Sequence, residues 1–251
     1  MNKTKIEWCD YTWNPVTGCY HGCPYCYARR IAIRFKAKER PKEIKEVLLN
    51  NKYFERIYVN NSNEPFPTGF APTFHEARLS EPQKLKKPSR IFVVSMGDLF
   101  GEWVPDEWIK SVFEACKKAP QHTYYFLTKN TNRYYNYFID NPAPENWWIG
   151  ASADNANRAH VRSETLNMMN ANTFLSLEPL LEDVAEFIDW NGLDWVIIGA
   201  QTGPESKKPK KEWVENIISY ARAYDIPVFL KDNLNWPEKI QNWPKGSEWN
   251  E

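Results

Sequence analysis

Short apolar runs recur along the chain at the spacing that a wound sheet needs. They are "RIFVVSM" (90–96), "TYYFLTK" (123–129), "WWIGAS" (147–152), "TFLSLEP" (173–179), "DWVIIGA" (194–200) and "IPVFLK" (226–231). Each is rich in Val, Ile, Phe and Tyr and nearly unbroken by polar residues. That pattern predicts strands buried on both faces, as in a parallel sheet. Amphipathic stretches lie between them. "PDEWIKSVFEACKKAP" (105–120) opens on Pro and acids and closes on lysines, as a helix should. "NANRAHVRSETLNMMN" and "KKEWVENIISYARAYD" read the same way. Near the start, "EWCDYTWNP" predicts a first strand and "YARRIAIRFKAK" its helix. The repeated strand–helix order predicts an α/β fold with parallel strands closed into a partial or full (β/α) barrel.

A single domain over 1–251 is expected. Within it, residues 50–88 break the rhythm and are too long for an ordinary loop. An insertion over the barrel mouth, either a lid or a wrapping arm, accounts for them. The tail 233–251 predicts an irregular arm pinned by Trp236, Trp243 and Trp249. No internal repeat is visible. The opening "MNKTKIEWCDYTW" has no apolar core, and no run approaches the ~18 apolar residues of a membrane span. A cytoplasmic protein without a secretory leader or membrane partner is expected.

Lys plus Arg and Asp plus Glu balance at 32 each, which argues against gripping nucleic acid by bulk charge but permits a local basic patch. Aromatics are abundant, with 12 Trp, 13 Tyr and 13 Phe, and these serve either a rigid core or a stacking surface. The five cysteines are unevenly spent, for three fall in "GCYHGCPYCYARR" (18–30). Clustered thiols without a secretion signal favour metal or redox chemistry over a disulfide framework.

Cys19, Cys23 and Cys26 have the spacing C-x3-C-x2-C. Gly18, Gly22 and Pro24 suit a tight turn that brings the sulfurs together. The loop falls between a predicted strand and a predicted helix, at the sheet's carboxyl end, where α/β folds place their chemistry. No second CxxC or HxxxH follows to complete a closed zinc site. His21 lies inside the loop, where a side chain between two close ligands rarely reaches the same ion. Three thiolates without a fourth would leave one iron of a 4Fe–4S cluster open to an outside ligand.

This motif, with Tyr25 just before the last cysteine, resembles that of the radical S-adenosylmethionine superfamily. Further blocks, "KIEWCDYTWNPVTGC", "VSMGDLF", "VPDEWI", "QHTYYFLTKN", "WWIGASADN", "LSLEPLL" and "DWVIIGAQTGP", are similar to those of the phage Gp37/Gp68 family, also called DUF5131. The resemblance is read as extending from Lys5 to about Asp232. The cysteine loop is a short form for that family, and Cys9 stands where Thr is expected. The resemblance implies an enzyme with a 4Fe–4S cluster held by Cys19, Cys23 and Cys26. S-adenosylmethionine on the open iron would be cleaved reductively to a 5′-deoxyadenosyl radical that abstracts hydrogen from a substrate.

The resemblance also implies roles at the strand ends. Ser95, Gly97 and Asp98 would meet the methionine amino group, and Asp98 could equally cap a turn. Thr128 and Lys129 stand where a methionine carboxylate would be neutralised, or where Lys129 pairs with a surface acid. Ser152 and Asp154 face ribose hydroxyls or that carboxylate. Glu178, a carboxylate in an apolar strand, needs a partner, either a hydroxyl or a salt bridge. Gly199, Ala200 and Gln201 would let adenine lie close, and Lys231 and Asp232 would line the substrate side.

Residues 28–46 are read as one basic helix, with Arg29, Arg30, Arg34, Lys36, Lys38, Arg40, Lys42 and Lys45 against three glutamates. Lysines cluster again at 84–87 and 207–211. A nucleic-acid track, a docking face for an acidic electron donor such as flavodoxin or ferredoxin, and a solvated face all suit this pattern. Cys9 and Cys116 are expected to pack as small core residues. His75, His122 and His160 are expected at the surface or in caps. A structural zinc module and an electron-transfer protein are the competing readings of the thiols.

Overall fold

The computed structural model describes residues 1–39, 41–47, 56–62, 64–203 and 206–244. The chain divides into two compact units, Met1–Thr128 and Lys129–Glu251.

The first unit holds strands β1 (Asn2–Lys3), β2 (Tyr11–Trp13) and β3 (Val16–Thr17), and helix α1 (Tyr27–Arg34). Then come β4 (Ile44–Val47), β5 (Ile57–Asn60), β6 (Thr73–His75), α2 (Glu81–Lys84), β7 (Arg90–Val93), α3 (Asp106–Lys117) and β8 (Thr123–Thr128). β2, β7 and β8 are parallel, and β1 edges β2 antiparallel. Ile91, Phe92 and Val93 are all buried, as an unbroken apolar run requires. α3 follows Pro105 at its N-cap, carries Asp106 and Glu107 in its first turn and Lys117 in its last, and buries Trp108, Ile109, Val112, Phe113 and Cys116. Each such large apolar side chain is worth about 1.5–3 kcal/mol.

A second sheet runs β3-β6-β5-β4. The segment after residue 55 therefore supplies two strands, β5 and β6, while residues 48–55 lie outside the described residues. The expected basic helix 28–46 is corrected. α1 stops at Arg34, and Ile44–Val47 form β4 instead. Beyond Phe35 the sequence loses its apolar period and meets Pro41, which excludes helical continuation.

The second unit holds α4 (Tyr135–Phe138), β9 (Trp147–Ser152), α5 (Ala156–Asn167), β10 (Asn172–Leu177), β11 (Val196–Ile198), α6 (Lys211–Ala223) and β12 (Val228–Leu230). Its four strands are parallel in the order β9-β10-β11-β12. The tail returns beside β12. Leu230 N–H donates to Ile240 O, Trp195 Nε1 donates to Asn242 O at 2.9 Å, and Trp243 packs on Trp195 with ring centroids 5.1 Å apart. Trp249 lies outside the described residues.

The histidine expectation fails at two positions. His75 and His122 are buried, whereas His160 is exposed and pairs with Glu164 on α5. His75, at the end of β6, ties three strands of the second sheet. Asn60 Nδ2 donates to His75 Nδ1 at 2.8 Å, so the ring N–H sits on Nε2, 2.8 Å from Thr17 Oγ1. Burial, with Arg78 nearby, pushes its pKa down to about 2, so it is a neutral connector.

Candidate metal centre

The cysteine loop leaves β3 through Gly18, whose φ of +87° is open to glycine at low cost. Gly18 N–H donates to Met96 O at 2.8 Å, and Gly18 bridges Gly97 in parallel. Cys19 N–H then reaches Phe70 O at 3.2 Å. Gly22 makes the second left-handed turn, at φ +70°. Cys26 is the N-cap of α1, with its sulfur accepting from Arg29 N–H at 3.4 Å. Cys19 Sγ accepts from His21 N–H, also at 3.4 Å. The loop is thus laid on the segment that leaves the carboxyl end of β7.

That segment is itself fixed. Val94 follows β7 with φ +60°, a costly conformation for a β-branched residue, and is held by its N–H to Trp13 O at 2.7 Å. Asn14 Oδ1 accepts from Met96 N–H at 2.8 Å and from the Ser95 hydroxyl at 3.3 Å. Tyr27, the first residue of α1, donates its hydroxyl to Ser95 O at 2.8 Å. Nothing in the sequence marked Asn14 or Tyr27 as parts of the site.

Asp98 is 3% exposed. Its Oδ1 accepts from Thr128 Oγ1 at 2.7 Å and from Phe100 N–H at 3.0 Å, and its Oδ2 takes His21 Nε2 at 2.7 Å. Two residues expected to meet a methionine group, Asp98 and Thr128, therefore satisfy each other, and Asp98 also caps its own turn. Trp103 stands edge-on to Tyr20 and His21, at 5.5 and 4.9 Å between ring centroids. Its buried indole N–H has no acceptor among the described residues.

Burial, reinforced by the Asp98 carboxylate and the neighbouring thiols, pushes the Cys19 thiol far above its ordinary range. That environment favours the neutral thiol over the thiolate. Among the described residues, no three His, Cys, Asp or Glu side chains are grouped to hold one metal ion. Cys19, Cys23 and Cys26 share one short loop, and thiolates are donors for zinc and for iron–sulfur clusters alike, so these three are the residues that would hold such a group. Tyr25 is half-buried in the same loop.

The remaining expected residues lie in the second unit. Arg162 of α5 donates to Ser152 O, and to Lys129 O at 2.8 Å. Asp154 is buried and chelates Arg158 Nη1 with both oxygens, at 2.6 and 2.9 Å. Glu178 pairs with Lys231, the salt bridge being one of the two kinds of partner expected for it. A Cβ on Gly199 would stand 3.0 Å from Lys231 Cδ and 3.1 Å from Glu178 Cγ, so this glycine makes room for the pair. Asn233 brackets the Ala200 backbone, accepting from its N–H at 3.0 Å and donating to its carbonyl at 2.9 Å. Asp232 accepts from Gln241 Nε2 at 3.1 Å, and Gln201 is half-buried beyond β11. Arg158 and Arg162 were not foreseen, although their i, i+4 spacing on α5 was available as a signal. Cys9 and Cys116 are buried as expected, as small core residues.

Among curated protein sequences none matches this chain. Among solved structures, the fold is similar to that of spore photoproduct lyase. A cysteine variant of that protein with a dinucleoside spore photoproduct matches at TM-score 0.55 and 10% identity, over 91% of this chain and 78% of its own. A double variant with bound AdoMet and dinucleoside spore photoproduct matches at the same TM-score, identity and coverage. At this identity the likeness concerns the α/β fold of parallel strands. The family model described as "Protein of unknown function (DUF5131)" matches residues 3–250, and the chain belongs to that family.

Proposed function

We propose that this chain is a radical S-adenosylmethionine enzyme whose Cys19, Cys23 and Cys26 hold a 4Fe–4S cluster. The observation that carries the reading is the C-x3-C-x2-C loop itself, fastened to the carboxyl-end segment of parallel strand β7 through Gly18 and Gly97. Such a cluster, with S-adenosylmethionine on its open iron, supplies a carbon radical that removes hydrogen from an unreactive C–H bond. The bound AdoMet of one structural neighbour supports the choice of cofactor.

The chain's own residues divide the remaining work. Burial and Asp98 favour the neutral Cys19 thiol, so loading releases a proton. Tyr25 offers a ring beside the cluster. Ser95 and Gly97 offer backbone groups toward an amino acid moiety, and Asp98 and Thr128, hydrogen-bonded to each other, stand beside them. Ser152, Lys129, Glu178 and Gly199 stay candidates for ribose, carboxylate and adenine. The substrate is a nucleotide or nucleic-acid derivative, a reading supported by the dinucleoside bound in the similar structures.

The electron donor docks on α1. This helix buries only Ala28 and Ala32, and exposes Ile31, Ile33 and Phe35 among Arg29, Arg30 and Arg34, directly after Cys26. An acidic protein with an apolar centre, such as flavodoxin or ferredoxin, complements that mixture. Nucleic acid would leave the isoleucines without an apolar partner. A cytoplasmic setting keeps the three thiols reduced.

The test is anaerobic reconstitution with iron and sulfide, reduction with dithionite, and assay for 5′-deoxyadenosine after S-adenosylmethionine addition. Colour and product are expected in the parent, and neither in Cys23→Ala. Iron-free protein under these conditions, or a cluster that yields no 5′-deoxyadenosine, refutes the reading.

A further inference from the structure

His21 sits between two cluster cysteines, yet its side chain turns to Asp98. Its Nε2 is 2.7 Å from Asp98 Oδ2. The other carboxylate oxygen is 2.7 Å from Thr128 Oγ1 at the end of β8 and 3.0 Å from Phe100 N–H. The carboxylate is 3% exposed, so it cannot trade these donors for water without cost. Meanwhile the His21 backbone N–H points at Cys19 Sγ from 3.4 Å, and Trp103 closes on the imidazole edge-on at 4.9 Å. One residue thus touches a cysteine sulfur with its main chain and a buried anchor with its side chain. The two ends of the loop are held separately, by Gly18 on Met96 and by Tyr27 on Ser95. Beside it, Tyr20 fastens the same stretch elsewhere, its hydroxyl donating to Arg56 O at 2.6 Å, while His21 ties it to Asp98.

We propose that His21 is a positioning residue, clamping the middle of the cysteine loop to β8 through Asp98 and Thr128. The clamp sets where Cys19 stands before any iron arrives. The inference rests on the reading of the loop as a metal site only for its purpose. The clamp itself is a property of the chain alone.

The test begins with metal-free, fully reduced protein. Each cysteine's alkylation by iodoacetamide is followed by mass spectrometry in the parent, His21→Ala, His21→Gln and Thr128→Val. A charge-assisted hydrogen bond to a buried carboxylate controls local opening by about tenfold or more. His21→Ala is therefore expected to speed Cys19 alkylation about tenfold. Gln carries an amide nitrogen near the position of Nε2, so His21→Gln is expected to stay within about threefold of the parent. Thr128→Val, which loosens the anchor from the β8 side, is expected to fall between. Cys116, fully buried in α3, serves as the gauge of global unfolding and should not change. If His21→Ala also accelerates Cys116, the comparison passes to His21→Gln and Thr128→Val alone.

Unchanged Cys19 alkylation in His21→Ala overturns the proposal. So does equal acceleration in the Ala and Gln variants, because that outcome assigns the effect to ring packing. In reconstituted protein, His21→Ala is expected to lose iron to a chelator about tenfold faster and to show an altered reduced-cluster resonance, both recovered by His21→Gln. If no variant takes up iron while the alkylation order holds, the clamp stands and the cluster reading falls.

Discussion

Gly18→Ala tests whether the cysteine loop is as tightly seated as described. Two costs arise at this position. The φ of +87° is strained for any residue with a Cβ, which costs about 1–2 kcal/mol. The added methyl would also stand 2.4 Å from Ala71 O, 2.5 Å from Ala71 C and 2.8 Å from Phe70 O. All three are backbone atoms and cannot swing aside as a side-chain tip does, so the chain must shift at about 1–2 kcal/mol more. The sum is about 3 kcal/mol. For a chain of this size that lowers the melting temperature by about 6–12 °C. Gly22→Ala is the matched control. Its φ is +70°, but the nearest atom to the added methyl is Tyr20 O at 4.0 Å, so only the conformational cost applies. About 1 kcal/mol, or about 2–4 °C, is expected there. The assay is thermal and urea unfolding of both variants, metal-free and under reducing conditions. Equal melting of the two within about 0.5 kcal/mol would refute the close approach of Gly18 to the Phe70–Ala71 strip. It would also remove the argument that the strip fixes Cys19, whose N–H bonds Phe70 O.

Two further predictions concern buried polar groups. His75 stays neutral in the fold, with its pKa pushed down to about 2, while in the unfolded chain it takes a proton below its ordinary value of 6.5. Its contribution to stability is therefore complete above pH 6.5 and falls as pH drops below it, by about 1.4 kcal/mol per unit. Urea unfolding from pH 7 to 5 should show that slope, and His75→Gln should flatten it by about one proton; an unchanged slope places the histidine in water. In the second unit, Lys231→Met should cost about 1–2 kcal/mol by leaving the half-buried Glu178 carboxylate unpaired, and adding Glu178→Gln should recover part of that loss. A double-mutant cycle with no coupling would mean that the pair contributes nothing.

Apart from the first, Tyr11–Trp13, the strands that could be read from the sequence share one property: each is a nearly continuous apolar run, so burial on both faces is written locally. Trp147–Ser152 was legible for that reason, with all six residues buried. The second sheet was not. Val16–Thr17 is two residues long, Thr73–His75 is three, and their partners are 58 positions apart at Thr17 and His75. No period can be read in so short a strand, and no local rule joins it to a distant one. The basic segment after Arg34 differs again: its charge density suits a solvated helix face, but the apolar period ends there and Pro41 follows.

Residue type and residue partner also differ in legibility. Glu178 announced itself as a carboxylate amid apolar neighbours, and burial chemistry required that something answer it. Residue type alone does not name the lysine that pairs with it 53 positions away, because that pairing depends on strand register: β11 and β12 are parallel, with Ile198 opposite Leu230, and that register sets Lys231 beside Gly199. Asp98 repeats the case, with Thr128 30 positions downstream and His21 77 positions upstream. The sequence thus reveals which side chains demand a partner, and the fold decides which partner comes. Along the chain His21 reads only as a residue set between Cys19 and Cys23, whereas the contact that gives it a role is the Asp98 carboxylate across from it.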